Sequence, residues 1–185
     1  MNVLSKNGLI DLDDAVDYAG GYGTLSKILK KYLNTGLSVY DPLIQDAGQD
    51  FYIQLRPGQK FNLVITSALF EHLTTRALFD EINELVTDSG CLFLHTLVCE
   101  NVPKDPDWFY IEPPVHCAVH TNKSMSLLME QWNYQSSLYC PAAKSWVLFK
   151  EDKADIQAKI EAINKEFQTE YIIYKKGFVD YWKGF

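Results

Sequence analysis

The stretch Val16–Leu25, VDYAGGYGTL, decides how the rest of the chain is read. Ala15 to Tyr18 has the make-up of a short strand, and Gly20, Gly21 and Gly23 follow almost at once. Leu25, Ile28, Leu29 and Tyr32 then fall at the i, i+3, i+4, i+7 spacing of one helix face. Glycines between a strand and a helix let the backbone approach a ligand closely. The free N–H groups of the next helical turn favour an electron-rich group there. The same junction also serves as a plain tight turn. A dinucleotide fingerprint, GxGxxG, needs Gly or Ala at position 26, where Ser26 stands instead.

Outward from this junction, extended and helical patterns alternate, which predicts a parallel α/β sheet. Asn34 and Gly36 end the first helix; Leu37 to Tyr40 reads as a second strand and Phe51 to Leu55 as a third, closed by the Pro57-Gly58 turn. Asn62 to Thr66, NLVIT, is a buried strand by its β-branched content. Leu78, Ile82 and Leu85 give a helix its apolar face, and Ser89-Gly90 turns the chain into a strand over Cys91 to Thr96. Four of the seven prolines fall between Leu97 and Thr121, together with Trp108, Phe109 and Tyr110. A loop of that length in a compact domain is commonly functional, and its aromatics argue against disorder. A helix (Ser124 to Trp132) and strands over Gln135 to Tyr139 and Ser145 to Phe149 follow. Ile156, Ile160, Ile163 and Phe167 form a last amphipathic helix, and Tyr171 to Phe185 carries six aromatics. Two segments are expected, 1–150 as the main domain and 151–185 as a helix with an aromatic tail.

Composition narrows the function. With 185 residues, 47% hydrophobic and 22% charged, the chain is an ordinary globular protein with room for a core. A net charge of -7 argues against nucleic acid as partner, because phosphates call for a basic face. No apolar run reaches the roughly 18–20 residues of a membrane span. Cys91, Cys99, Cys117 and Cys140 lack CxxC spacing, so reduced thiols and a cytoplasmic setting are expected. Asp41 ends the second strand roughly 20 residues past the glycines, where a carboxylate accepts from ribose hydroxyls; the bland alternative is a turn cap.

These residues together resemble the class I S-adenosylmethionine (SAM)-dependent methyltransferases. DYAGGYG looks like their acidic nucleotide loop, with Asp17 as the acid. Phe61–Leu73 (FNLVITSALFEHL) is similar to their fourth-strand motif and Ile82–Thr96 to the segment entering the fifth. Pro113–Glu130 is similar to a histidine-then-threonine segment of a bacterial subgroup linked to glycan or small-metabolite methylation. The resemblance implies a Rossmann-like three-layer sandwich with a mostly parallel seven-stranded sheet, the last strand antiparallel. It implies SAM as cofactor, its methionine part near Asp17 and the backbone of Ala19, Gly20, Gly21 and Gly23. Asp41 would take the ribose, and Ser67, Ala68 and Leu69 would line the methyl-donor side. Ala19 replaces the family's first glycine, no acid matches the adenine contact, and the N-terminal cover helix is lacking.

For the acceptor side, His116 holds the family's histidine position, as a general base for a hydroxyl or as a strut for the loop. Glu71 and His72 lie beside the expected methyl site, as acceptor contacts or as helix-start residues. Trp108 and Tyr110 would stack on a sugar or ring, or pack the loop. His116, Cys117 and His120 lack a matching ligand pair elsewhere, so no metal is expected. The expected activity is methyl transfer to a hydroxyl or amine of a small molecule, such as a sugar or glycan precursor. A non-catalytic SAM-binding module with a degenerate fold stands beside it, and a nicotinamide dehydrogenase is disfavoured by Ser26 and SALFEHL. The tail, with Phe178, Tyr181, Trp182 and Phe185, would close the cofactor site or join a second subunit as a homodimer.

Overall fold

The computed structural model describes residues 1–44, 48–110 and 115–180. Its seven strands are β1 (Ala15–Tyr18), β2 (Ser38–Tyr40), β3 (Phe61–Ser67), β4 (Val86–His95), β5 (Ser136–Cys140), β6 (Ser145–Phe149) and β7 (Ile173–Lys176). They form one sheet in the order β2-β1-β3-β4-β6-β5-β7. The first four run parallel, with Asp17 level with Val39 on one side and Ile65 on the other. The strand β6 enters antiparallel between β4 and β5, and β7 is antiparallel to β5.

Alternation along the strands splits the core into two faces. Val64 of β3 faces a cluster with Phe79 and Ile82 of α3 (Arg76–Glu84) and Met125 and Met129 of α4 (Asn122–Gln131). Leu63 and Ile65 face the opposite cluster. That side holds Leu4 of α1 (Asn2–Lys6), Leu29 of α2 (Thr24–Leu33) and Ile156, Ile160 and Ile163 of α5 (Ile156–Phe167). Burial on both faces explains why NLVIT is continuously apolar. Each buried isoleucine of α5 contributes roughly 1.5–3 kcal/mol relative to an exposed one.

Three expectations need correction. Phe51 to Leu55 is not a strand: only Tyr52 bridges Val39, through Val39 N–H to the Phe51 carbonyl (2.8 Å) and Ile53 N–H to the Val39 carbonyl (2.9 Å). The seventh strand is instead β7, Ile173–Lys176, which joins the sheet beside β5. Ser89-Gly90 is no turn. It lies inside β4, where the register against β3 shifts between Phe61 and Leu63, and a Cβ on Gly90 would sit 2.9 Å from the Asn62 carbonyl oxygen. A five-residue helix, α1, does precede β1, but its Leu4 packs in the α2/α5 cluster.

The tail as far as Asp180 is tied down. Phe178 is buried and stacks on Trp146 at 5.5 Å, and the Trp146 indole N–H donates to the Val179 carbonyl (2.9 Å). Tyr181, Trp182 and Phe185 lie outside the described residues. All four cysteines are free thiols. No helix of the described residues is long and apolar enough to cross a membrane.

Candidate active site at the strand ends

The parallel strands β2, β1, β3 and β4 end on one edge of the sheet, where α/β folds place their ligands. At the end of β1 the chain turns through Ala19 (φ 57°) and Gly21 (φ 55°), and α2 starts after Gly23 (φ 67°). At the end of β3, Ala68 also has a left-handed backbone (φ 52°). Such alanines cost of order 1–3 kcal/mol each, and two of them at neighbouring strand ends mark this edge as shaped for a purpose. Ala19 is held by its N–H to the Tyr40 carbonyl (2.7 Å), Ala68 by its N–H to the His95 carbonyl (2.9 Å). Gly20 is required by volume: a Cβ there would lie 2.6 Å from the Asp17 carboxylate and 2.9 Å from Val39.

Asp17 is buried at 3% exposure, and among the described residues no group donates a hydrogen bond to its carboxylate. Burial, and then the neighbouring Asp41 carboxylate, push its pKa up from 3.8 to about 7. Asp41 is buried as well but well supplied with donors. Its Oδ2 accepts from Gly21 N–H (2.9 Å), and its Oδ1 from the N–H groups of Leu43 and Ile44 (both 2.8 Å). The turn-capping role is therefore realised, with one lone pair of Oδ2 left over. The Tyr52 hydroxyl, which sequence reasoning missed, donates to the Gly21 carbonyl (2.8 Å) and braces the loop from the chain beyond β2. Ser26 is structural: buried in α2, it donates to the Leu37 carbonyl (2.7 Å).

Ser67 and Ala68 are exposed and Leu69 half-buried just past β3. A single 3-10 turn, Phe70–His72, follows. The segment 115–120 docks on that turn. Cys117 and Ala118 donate their N–H groups to the Glu71 carbonyl (2.9 and 3.1 Å), and the His120 ring lies 3.3 Å from the Phe70 carbonyl between Phe70 and Phe79. Burial lowers the pKa of His120, which keeps it neutral in the core. This docking sets His116 beside His72, with ring centroids 4.9 Å apart. Tyr110 stacks on His116 at 4.5 Å. The Glu71 carboxylate is buried and accepts from the Thr96 hydroxyl (2.8 Å), while the Tyr110 hydroxyl accepts from the Leu97 N–H (3.3 Å). Desolvation and that carboxylate raise the Tyr110 hydroxyl to about 12, so it remains a proton donor.

The structure thus gathers the sequence-derived residues into two groups. Asp17, Ala19, Gly20, Gly21, Gly23 and Asp41 form one, at β1 and β2. Glu71, His72, Tyr110 and His116 form the other, beyond β3 and β4. Trp108 is buried and rests against Tyr110 at 5.6 Å, so it packs the loop, while Phe109 is exposed. Thr96 carried no signal in the sequence beyond its place at the end of β4.

No protein-family model matches the chain, and no curated protein matches it. Solved structures do. Human N-acetylserotonin methyltransferase in complex with SAM superposes with a TM-score of 0.56 at 15% identity, over 82% of this chain and 52% of that one. An O-methyltransferase family protein from Burkholderia thailandensis gives 0.50 at 14%, over 76% and 51%. The plantazolicin methyltransferase BpumL, in complex with S-adenosylhomocysteine (SAH), gives 0.53 at 9%, over 74% and 76%. The fold is the class I methyltransferase fold. The chain spans about half the length of the first two of these proteins. The antiparallel β6, slotted between β4 and β5, and the antiparallel β7 at the edge separate this sheet from a fully parallel one.

Proposed function

We propose that the chain binds SAM at the ends of β1, β2 and β3 and transfers its methyl group to a hydroxyl or amine of a small molecule, with a sugar or glycan precursor as the first acceptor to try. The observation that carries this reading is the Asp17 carboxylate, buried, without a donor and close to a second acid. None of the ion pairs among the described residues involves either acid. Two neighbouring carboxylates without a paired cation favour a ligand that brings one. SAM carries an ammonium and a sulfonium and, when bound, supplies an electrophilic methyl group.

Asp17 and the backbone of Ala19–Gly21 would hold the methionine end, the remaining Oδ2 lone pair of Asp41 the ribose, and Ser67–Leu69 the opposite wall. His116 would take up the proton that a hydroxyl acceptor must lose, with its ring fixed by the Tyr110 carbonyl and ring. The acceptor is read as a small molecule, neither nucleic acid nor membrane, in keeping with the net charge of -7. A cytoplasmic setting and a homodimer joined through the tail belong to the same reading.

Calorimetric titration with SAM, SAH and NAD tests the cofactor; binding of NAD without SAM would sink the proposal. Turnover on a panel of hydroxyl and amine acceptors then separates an enzyme from a binding module. The second reading, a SAM-binding module without turnover, draws on one observation. The loop N–H groups of Ala19, Gly20 and Gly21 are already bonded within the protein, to the Tyr40 carbonyl and Asp41.

A further inference from the structure

We infer that Glu71, His72 and His116 form a divalent metal site of the two-histidine, one-carboxylate kind, which takes a first-row transition cation such as Mn²⁺, Fe²⁺, Co²⁺ or Zn²⁺. One ligand atom from each of the three side chains lies within 4.8 Å of the other two. Bonds of about 2.1 Å around a metal put neighbouring ligand atoms roughly 3–3.5 Å apart.

The stronger argument is how the imidazoles are held. His72 Nδ1 lies 2.6 Å from the Val115 carbonyl oxygen, and His116 Nδ1 lies 2.9 Å from the Tyr110 carbonyl oxygen. A carbonyl only accepts, so both Nδ1 atoms carry the hydrogen and both Nε2 atoms carry a lone pair. Backbone bonding at one ring nitrogen, with the other left as a base, is the outer-shell arrangement that orients metal-bound histidines. The Glu71 carboxylate is oriented in the same way, by the Thr96 hydroxyl (2.8 Å). It is also a buried carboxylate with no cationic side chain paired to it among the described residues. Two imidazoles and one carboxylate suit borderline transition cations better than Mg²⁺ or Ca²⁺, which prefer oxygen ligands. Three protein ligands leave open positions.

The expectation of no metal weighed His116 with Cys117 and His120. His120 is committed to the core against Phe70 and Phe79. The partners of His116 come instead from the turn after β3. That turn and the docked segment 115–120 make the site, 44 positions apart in the chain at His72 and His116.

The use of the site rests on the proposed methyl transfer. An acceptor hydroxyl at an open position would be oriented by the cation and lose its proton to water more readily. The His116 Nε2 lone pair would then be on the cation, so the base role assigned to it above applies to the metal-free protein.

Metal binding is tested without SAM or an acceptor, so it stands or falls apart from the methyltransferase reading. The untagged full chain is titrated with Co²⁺ and followed by its visible absorption and by the melting temperature. We expect one equivalent bound, a rise in melting temperature, and at least tenfold weaker binding in His72→Gln and in His116→Gln. Cys117→Ser tests the exposed neighbouring thiol and should bind as the parent does. Absence of binding by the parent, unchanged affinity in both histidine variants, or loss in Cys117→Ser would overturn the site. Should a histidine variant melt early, Glu71→Gln with the parent's metal-induced melting shift keeps the test decisive.

Discussion

The two sides of the strand-end cleft satisfy their polar groups in opposite ways. On the β1/β2 side, Asp17 is buried beside Asp41 without a donor, so the charge of the pair is left for something outside the protein. On the β3/β4 side each side chain of the cluster is held at one atom by a protein partner: Glu71 by the Thr96 hydroxyl, His72 by the Val115 carbonyl, and His116 by the Tyr110 carbonyl. The difference teaches that the first side leaves its acid unbraced for a ligand's charge, whereas the second braces its side chains in place before any cation arrives. Binding strength should therefore respond to changes on the first side, and turnover to changes on the second.

The sharpest way to break that division is His116→Asn. It should keep SAM affinity and lower turnover by roughly a hundredfold or more, the scale of losing a positioned base or ligand. Parallel calorimetry and product assay decide, and loss of SAM binding in this variant would erase the distinction between the sides. Asp41→Ala should do the reverse, weakening SAM by about tenfold or more, since hydrogen bonds to a charged acceptor contribute roughly 1.5–3 kcal/mol. Because Asp41 also receives the N–H groups of Gly21, Leu43 and Ile44, the same variant should melt earlier than the parent. An unchanged melting curve with unchanged affinity would remove Asp41 from both roles.

Asp17 sharpens the comparison through pH. Its folded pKa, about 7, is raised above the ordinary 3.8. The folded state therefore holds the proton more tightly than the unfolded one. That contribution to stability is full below about pH 4 and is lost as pH rises through about 7. Asp17→Asn cannot ionise. Its melting temperature should match the parent's near pH 4 and exceed it by roughly ten degrees at pH 8, in the absence of cofactor. Two curves that run parallel across this range would show that Asp17 ionises normally. The smallest effect is expected from Ala19→Gly, which relieves a left-handed alanine (φ 57°) and should stabilise by under about 1 kcal/mol in a denaturant titration.

Much of the fold was legible because its signals are local. The glycine junction, the apolar NLVIT strand and the isoleucine stripe of α5 each announce themselves within a dozen residues. The exceptions are long-range. Phe51 to Leu55 has strand-like composition, but sheet membership is decided by a neighbour, and only Tyr52 meets Val39. Ile173–Lys176 reads as tail until β5 offers it an edge, where the Ser137 hydroxyl bonds the Gly177 carbonyl (2.7 Å) and receives the Val179 N–H (2.8 Å). At the site, each side chain of the Glu71–His72–His116 cluster was visible singly. Their meeting was not, because it depends on backbone bonds from 117 and 118 to the Glu71 carbonyl, which no side-chain pattern encodes.

Ala19 bears on how such a fold diverges. The loop carries alanine at the first position after β1, yet the backbone has a positive φ there, pinned by the Tyr40 carbonyl. The penalty, roughly 1–2 kcal/mol for an L-residue, is small beside the hydrogen bonding and packing that hold the turn. A lineage can therefore shed the letter while the handedness of the turn persists. Distant kin of this loop are better sought by the sign of one backbone angle after the first strand than by a glycine.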